Sequence, residues 1–285
     1  MAKILITGCG AIGMALAQHL AAQGHEITGL KRQPPADTGT IRFFRADLTR
    51  AESLTGLATD FDYVFYILAP DQRELSQYQA IYVTGLTNLQ QHFSSAPVKP
   101  LWLMVSSTSV YAQTQGEWVD ESSPAEPRNP TSALIRQAEH QIHSSNPKNI
   151  CVRFSGIYGP GREYLLRMAQ HAPQIQYAPP SYTNRIHAAD CVGVLSFLVA
   201  QHLQGQVLDN CYLASDDHPA ALWEVISWLG KQLHYPPPVA QTLGEGAEQN
   251  KRCRNRRLKA LGYQFLYPSY QEGYGELLRK QGISQ

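Results

Sequence analysis

Short apolar runs alternate along the chain with longer stretches in which apolar residues recur at helical spacing. The short runs are Ile4–Thr7, Glu26–Leu30, Ile41–Arg45, Tyr63–Ala69, Leu101–Ser106 and Ile150–Phe154. Their nearly continuous apolar character suits strands buried on both faces. Met14–Gln23 carries the 3.6-residue period of an amphipathic helix between two of them. Strand, helix, strand as a repeating unit predicts a doubly wound (Rossmann) α/β fold, a parallel sheet with helices on both faces.

From Gly156 the rhythm breaks. GIYGPGREYLLRMAQ is followed by a Pro-containing loop, a helix over Ala189–Gln201, the strand-like CYLAS after Asn210, and an amphipathic segment over Ala221–Leu233. This predicts a main doubly wound domain over 1–155, which the glycine motif below makes the dinucleotide-binding one, with a returning segment at about 185–214. A smaller C-terminal lobe, the substrate lobe of the family resemblance given below, would be assembled from 156–184 and 215–285. No internal repeat of fixed period is visible.

The first helix is entered through KILITGCGAIGMALAQHL, which places Gly8, Gly10 and Gly13 in the spacing GxGxxG directly after a strand. In a dinucleotide site the first glycine permits the tight turn, the second lets the backbone approach a pyrophosphate, and the third brings helix and strand close. The phosphates would rest on the backbone N–H groups of the turn and helix start, Gly8, Gly10, Ala11, Ile12 and Gly13. The end of the second strand selects the cofactor, because an acid there accepts from a ribose 2′-OH and repels a 2′-phosphate. This strand ends in Leu30, Lys31 and Arg32. Two cations and no acid favour NADP(H), with NAD(H) as the alternative; the same pair also fits ordinary solvated surface charge.

Composition narrows the partners. Lys plus Arg total 24 against 23 for Asp plus Glu, a net charge of +1, so no global field exists to hold a nucleic acid. No apolar run approaches the ~20 residues of a membrane span, and no basic start with an apolar h-region announces secretion. Five cysteines, Cys9, Cys151, Cys191, Cys211 and Cys253, are odd in number and never spaced CxxC, as expected of reduced thiols in a cytoplasmic protein. His140 and His143 share a helix face without an HExxH companion, so no metal is expected.

Several further segments together resemble extended short-chain dehydrogenases/reductases of the NAD-dependent epimerase/dehydratase superfamily, in particular the atypical branch that keeps GxGxxG. RADLTR, with Asp47, resembles the acidic position beside the adenine. VFYILAP, with Leu68, Ala69 and Pro70, resembles the loop under the ribose. VSSTSVYAQ resembles the strand end bearing the active-site hydroxyl, and VRFSGIYGPGR, with Phe154, resembles the segment at the nicotinamide. NRIHAADCV and the tail KRCRNRRLKALGYQFLYPSYQEG resemble the substrate lobe. The resemblance implies a small-molecule substrate held beside the cofactor, and it leaves a homodimer open. It places Ser107 and Thr108 beside the substrate oxygen. Hydroxyls at the carboxyl edge of a parallel sheet do lie where such folds bind ligands, although they can equally cap nearby backbone.

One departure is chemical. The family's reducing members carry a Tyr and a Lys spaced YxxxK, whose Tyr moves the proton. Aligning NPTSALIRQAEHQI on Pro130 and Glu139 puts Thr131 and Ile135 in those places, and Tyr82 stands where the family has an Asn. Tyr111, Tyr158 and Arg136 are the candidate replacements. Two functions follow as expectations: an NADP(H)-dependent oxidoreductase, epimerase or dehydratase on a small polar or nucleotide-sugar substrate, or a catalytically reduced NADP(H)-binding sensor.

Overall fold

The computed structural model describes residues 1–37, 39–241, 250–280 and 282. Residues 242–249, within the expected substrate lobe, lie outside them. The chain divides into two compact units.

The first comprises Met1–Val110, Glu126–Arg153 and Val192–Tyr212. Its sheet contains β1 (Lys3–Thr7), β2 (Glu26–Lys31), β3 (Arg42–Arg45), β4 (Tyr63–Tyr66) and β5 (Leu101–Ser107). With the strands Ile150–Phe154 and Cys211–Ala214 it forms a seven-stranded sheet. Its order is Cys211–Ala214, Ile150–Phe154, β5, β4, β1, β2, β3. β1 pairs in parallel with both β2 and β4, β2 with β3, and β4 with β5. This is the doubly wound α/β sheet that the alternating pattern predicts, with the reversal of strand order falling at β1. Ile4, Leu5 and Ile6 are fully buried, as a central strand covered on both faces requires.

β4 is shorter than its apolar run, ending at Tyr66 rather than Ala69. Ile67 still donates its N–H to the Thr7 carbonyl at 3.1 Å. Beyond that β1 has turned away at Gly8, so residues 68–70 lose their ladder partner on that side. They become a loop at the carboxyl edge. The helix α1 (Ala11–Ala22) returns the chain from β1 to β2. A second helix, Pro130–Ser145, follows β5, with Asn129 capping its start by accepting from the Thr131 N–H at 2.9 Å.

The second unit comprises Tyr111–Ala125, Phe154–Cys191 and Leu213–Gln285. Its strands are short and paired in twos: 117–119 with 251–253, 156–158 with 185–187, 174–176 with 239–241, and 182–183 with 220–221. Leu166, Ile175, Val225, Leu229 and Leu277 fill its core around the rings of Tyr158 and Tyr274. The C-terminal helix Tyr270–Lys280 can pack here only because position 273 is glycine: a Cβ would lie 1.9 Å from the Tyr158 hydroxyl.

Candidate functional site

The three glycines of the first turn have different physical reasons. Gly8 has φ +83°, and a Cβ on it would lie 2.6 Å from the Ile67 carbonyl oxygen. A Cβ on Gly13 would lie 2.3 Å from the Gly8 carbonyl oxygen, so helix and turn touch there. Gly10 has neither constraint. Its φ is −76°, open to any residue, and a Cβ would meet nothing within 4 Å. The fold therefore does not demand a glycine at position 10, whereas a ligand approaching the backbone would. No side chain caps the α1 N-terminus and no acid lies in its first turn, so the N–H groups around Ala11, Ile12 and Gly13 present positive potential outward.

Lys31 ends β2, and its partner in the parallel register is Arg45 at the end of β3. The registered pair before them, Gly29 and Phe43, shares a face: a Cβ on Gly29 would sit 2.6 Å from the Phe43 ring and 2.9 Å from the Cys9 sulfur. Lys31 and Arg45, two residues further on each strand, emerge on that same face, the one against which the glycine turn packs. Burial pushes the Cys9 thiol up to about 11, against the pull of the Lys31 charge. Arg32 extends to Asp71, with Nη2 3.2 Å from the carboxylate and both side chains largely exposed.

Asp47 is half-buried and accepts from the Thr49 N–H and hydroxyl at 3.0 and 2.7 Å. The Leu68–Pro70 loop is tethered from the next helical run, where the buried Tyr82 donates its hydroxyl to the Leu68 carbonyl at 3.3 Å. Tyr82 sits in a π-helical segment, Ala80–Gly85, an insertion that re-aims side chains within a helix.

The end of β5 divides its hydroxyls between two tasks. Ser106 is buried and donates to Glu139 Oε1 at 2.6 Å. Ser107, half-buried, accepts from the Ser109 N–H at 3.1 Å, which leaves its own proton available. Thr108 is buried and opens a 3₁₀ turn. Glu139 is completely buried, accepting from Arg153 Nε and Nη2 at 2.8 and 2.7 Å and from Arg136 Nη1 at 2.7 Å. Burial pushes its carboxyl up, but the bonds and charge of Arg153, with Ser106 and Arg136, outweigh that and hold it below the ordinary value.

Thr131 turns its hydroxyl to Asn129 Oδ1 at 2.7 Å, and Ile135 is 95% buried. Neither offers a titrating group. Of the candidate replacements, Arg136 is committed to Glu139. Phe154, Tyr111 and Tyr158 belong to the second unit, and all three are buried. Tyr111 donates to the Asp120 carbonyl at 2.7 Å, and Tyr158 to the Ser269 carbonyl at 3.3 Å. Burial raises the Tyr158 phenol far above its usual range. In the basic run, Arg252 stacks between Trp118 and Tyr182, Arg254 lies on Trp118, and Lys259 pairs with Asp217. His143 hydrogen-bonds the Asn210 carbonyl oxygen, and among the described residues no group of three His, Cys, Asp or Glu could hold a metal. No described helix is long and apolar enough to cross a membrane.

Sequence comparison decides the family. A sequence model of the NAD-dependent epimerase/dehydratase family matches residues 4–207. The chain belongs to the NAD-dependent epimerase/dehydratase family. Among its curated relatives is Protein YeeZ of Escherichia coli K12, 25% identical over 277 residues, covering 94% of this chain and 97% of YeeZ. A Methylobacillus flagellatus structure assigned provisionally to the NAD-dependent epimerases/dehydratases is 34% identical, with TM-score 0.82 and 99% of each chain covered. Human epimerase family protein SDR39U1 (isoform 2), solved with NADPH, shares the epimerase/dehydratase fold at TM-score 0.76 and 21% identity, covering 97% of this chain and 99% of that one.

Proposed function

We propose that the chain binds NADP(H) on its first unit and acts as an oxidoreductase, epimerase or dehydratase on a small polar or nucleotide-sugar substrate. The observation that carries the reading is Gly10, a glycine with open space above it at the mouth of an uncapped helix. The residues present fit the cofactor. The Gly10 N–H closes the turn on the Gly8 carbonyl at 2.8 Å, so the N–H groups of Ala11, Ile12 and Gly13 at the uncapped helix start would take the pyrophosphate, and Lys31 and Arg32 the 2′-phosphate. Asp47 would stand on the adenine side, the Leu68–Pro70 loop under the ribose, and Phe154 by the nicotinamide.

When bound, a nicotinamide supplies hydride transfer. Ser107, with a free proton, and Thr108 would donate to the substrate oxygen whose charge changes. No group at 131 or 135 replaces the missing phenol and ammonium, so generic carbonyl turnover should be slow. That same observation supports a second reading, a cofactor-sensing protein with reduced catalysis.

Calorimetric titration with NADPH and NADH, followed by NADPH oxidation across a panel of carbonyl and nucleotide-sugar substrates, tests both. Tighter NADPH binding is expected. Fast turnover on any panel member would reject the sensor, and equal affinity for the two cofactors would reject the NADP(H) assignment.

A further inference from the structure

We infer that Arg45, a residue outside the glycine and strand-end motifs, is a specificity-determining binding residue for the cofactor's 2′-phosphate. The inference rests on the proposed dinucleotide site and names the cation that gives it selectivity.

Lys31 and Arg45 are register partners at the ends of adjacent parallel strands, so their Cα atoms lie about 5 Å apart and their side chains leave the same face. Like charges placed side by side in a sheet are unfavourable. A protein neutralises such a pair with an acid or separates it. Here the first remedy is missing: among the described residues no acid lies within ion-pair reach of Lys31 or Arg45. Arg45 is exposed, and the face it shares with Lys31 is the face on which Cys9 of the glycine turn packs.

Arg32, the cation named by the strand-end motif, is instead partly neutralised by Asp71 at 3.2 Å. Lys31 and Arg45 are thus a register pair of cations at this edge with no acid partner among the described residues. A phosphate dianion between them would turn a repulsive pair into two charge-assisted contacts, and an Arg fork suits its geometry.

Calorimetry on the full chain separates the outcomes, with NADPH, NADH, adenosine 2′,5′-bisphosphate and AMP as probes against wild type, Arg45→Gln and Arg32→Gln. Arg45→Gln is expected to lose about tenfold in affinity for NADPH and the bisphosphate, and less than about twofold for NADH and AMP. Arg32→Gln should lose less, because Asp71 already shares that charge. Ligand-free Arg45→Gln should melt no lower than wild type, since the repulsive pair has been removed.

If wild type prefers NADPH and Arg45→Gln keeps the same preference, Arg45 has no such role while the cofactor reading stands. If wild type binds NADPH and NADH equally, the 2′-phosphate site is absent and the inference falls with the reading. Equal losses for all four probes would mean a structural role and would also overturn it.

Discussion

Replacing Gly10 with valine separates what the ligand needs from what the fold needs. At φ −76° and ψ −161° the backbone is already in a region that a β-branched residue adopts, and the new Cβ would meet no atom within 4 Å. Losing a favourable helix-start residue costs about 0.5–1 kcal/mol. Restricting the unfolded chain returns about 0.4–1 kcal/mol. The ligand-free variant should therefore melt within about 2 °C of wild type. A ligand at a hundred times its Kd stabilises wild type by about 2.7 kcal/mol, a shift of roughly 5 °C for a chain of this size. In Gly10→Val the added methyls occupy the pyrophosphate approach, and the NADPH-induced shift should vanish. Gly13→Ala is the contrast: its Cβ would lie 2.3 Å from a backbone oxygen, so the ligand-free protein should lose about 1–3 kcal/mol. Thermal melts of the three proteins with and without NADPH check both claims. A full ligand shift in Gly10→Val would refute the pyrophosphate site, and a melting temperature far below wild type would refute the claim that the fold is indifferent to this side chain.

Three other outcomes are expected. Glu139→Gln leaves the buried Arg153 and the half-buried Arg136 without their carboxylate and should lower stability by about 3–5 kcal/mol in denaturant titration; because this carboxyl is held below its ordinary value of 4.5, its contribution is complete above that pH and fades as pH falls through the lower folded value. Asp216 behaves oppositely: burial, against the charge of Arg185, raises it to about 8, so stability should decline as pH rises from about 4 to 8, and melts of Asp216→Asn should show a flatter profile. Thr131→Tyr combined with Ile135→Lys should raise turnover of at least one carbonyl or nucleotide-sugar substrate, by up to the ~10²–10⁴ that general acid catalysis supplies, in steady-state NADPH oxidation; an unchanged rate would show that the relay cannot be rebuilt at these positions.

The parts of the molecule legible in its sequence are those whose cause is local. β1, α1 and β2 follow from apolar period and glycine spacing. Arg45 was not legible, because its meaning comes from a register with Lys31 that an intervening loop conceals. The clamp on Glu139 joins β5, a helix and a further strand, and only Arg136 lies at helical spacing from it. Tyr111 and Tyr158 looked available as acids since nothing in their neighbourhood announces the distant carbonyls of Asp120 and Ser269 that receive their protons. The role of Tyr82 as a tether for Leu68 depends on a π segment that sequence periodicity does not signal.

The Glu139 clamp also bears on how this helix can change. Its polar attachment to the sheet includes the Glu139 carboxylate, one turn below position 135 and two below position 131 along the helix, beside the apolar packing of Ile135, Ala138 and Ile142. A saturation library across residues 130–140 should consequently show two regimes. Position 139 should tolerate almost nothing, while the exposed positions Ala133, Gln137 and His140 should accept broad substitution without unfolding. The buried anchor and the exposed turns of this helix are separable, so a designer can write new chemistry into the exposed positions and keep a sound scaffold.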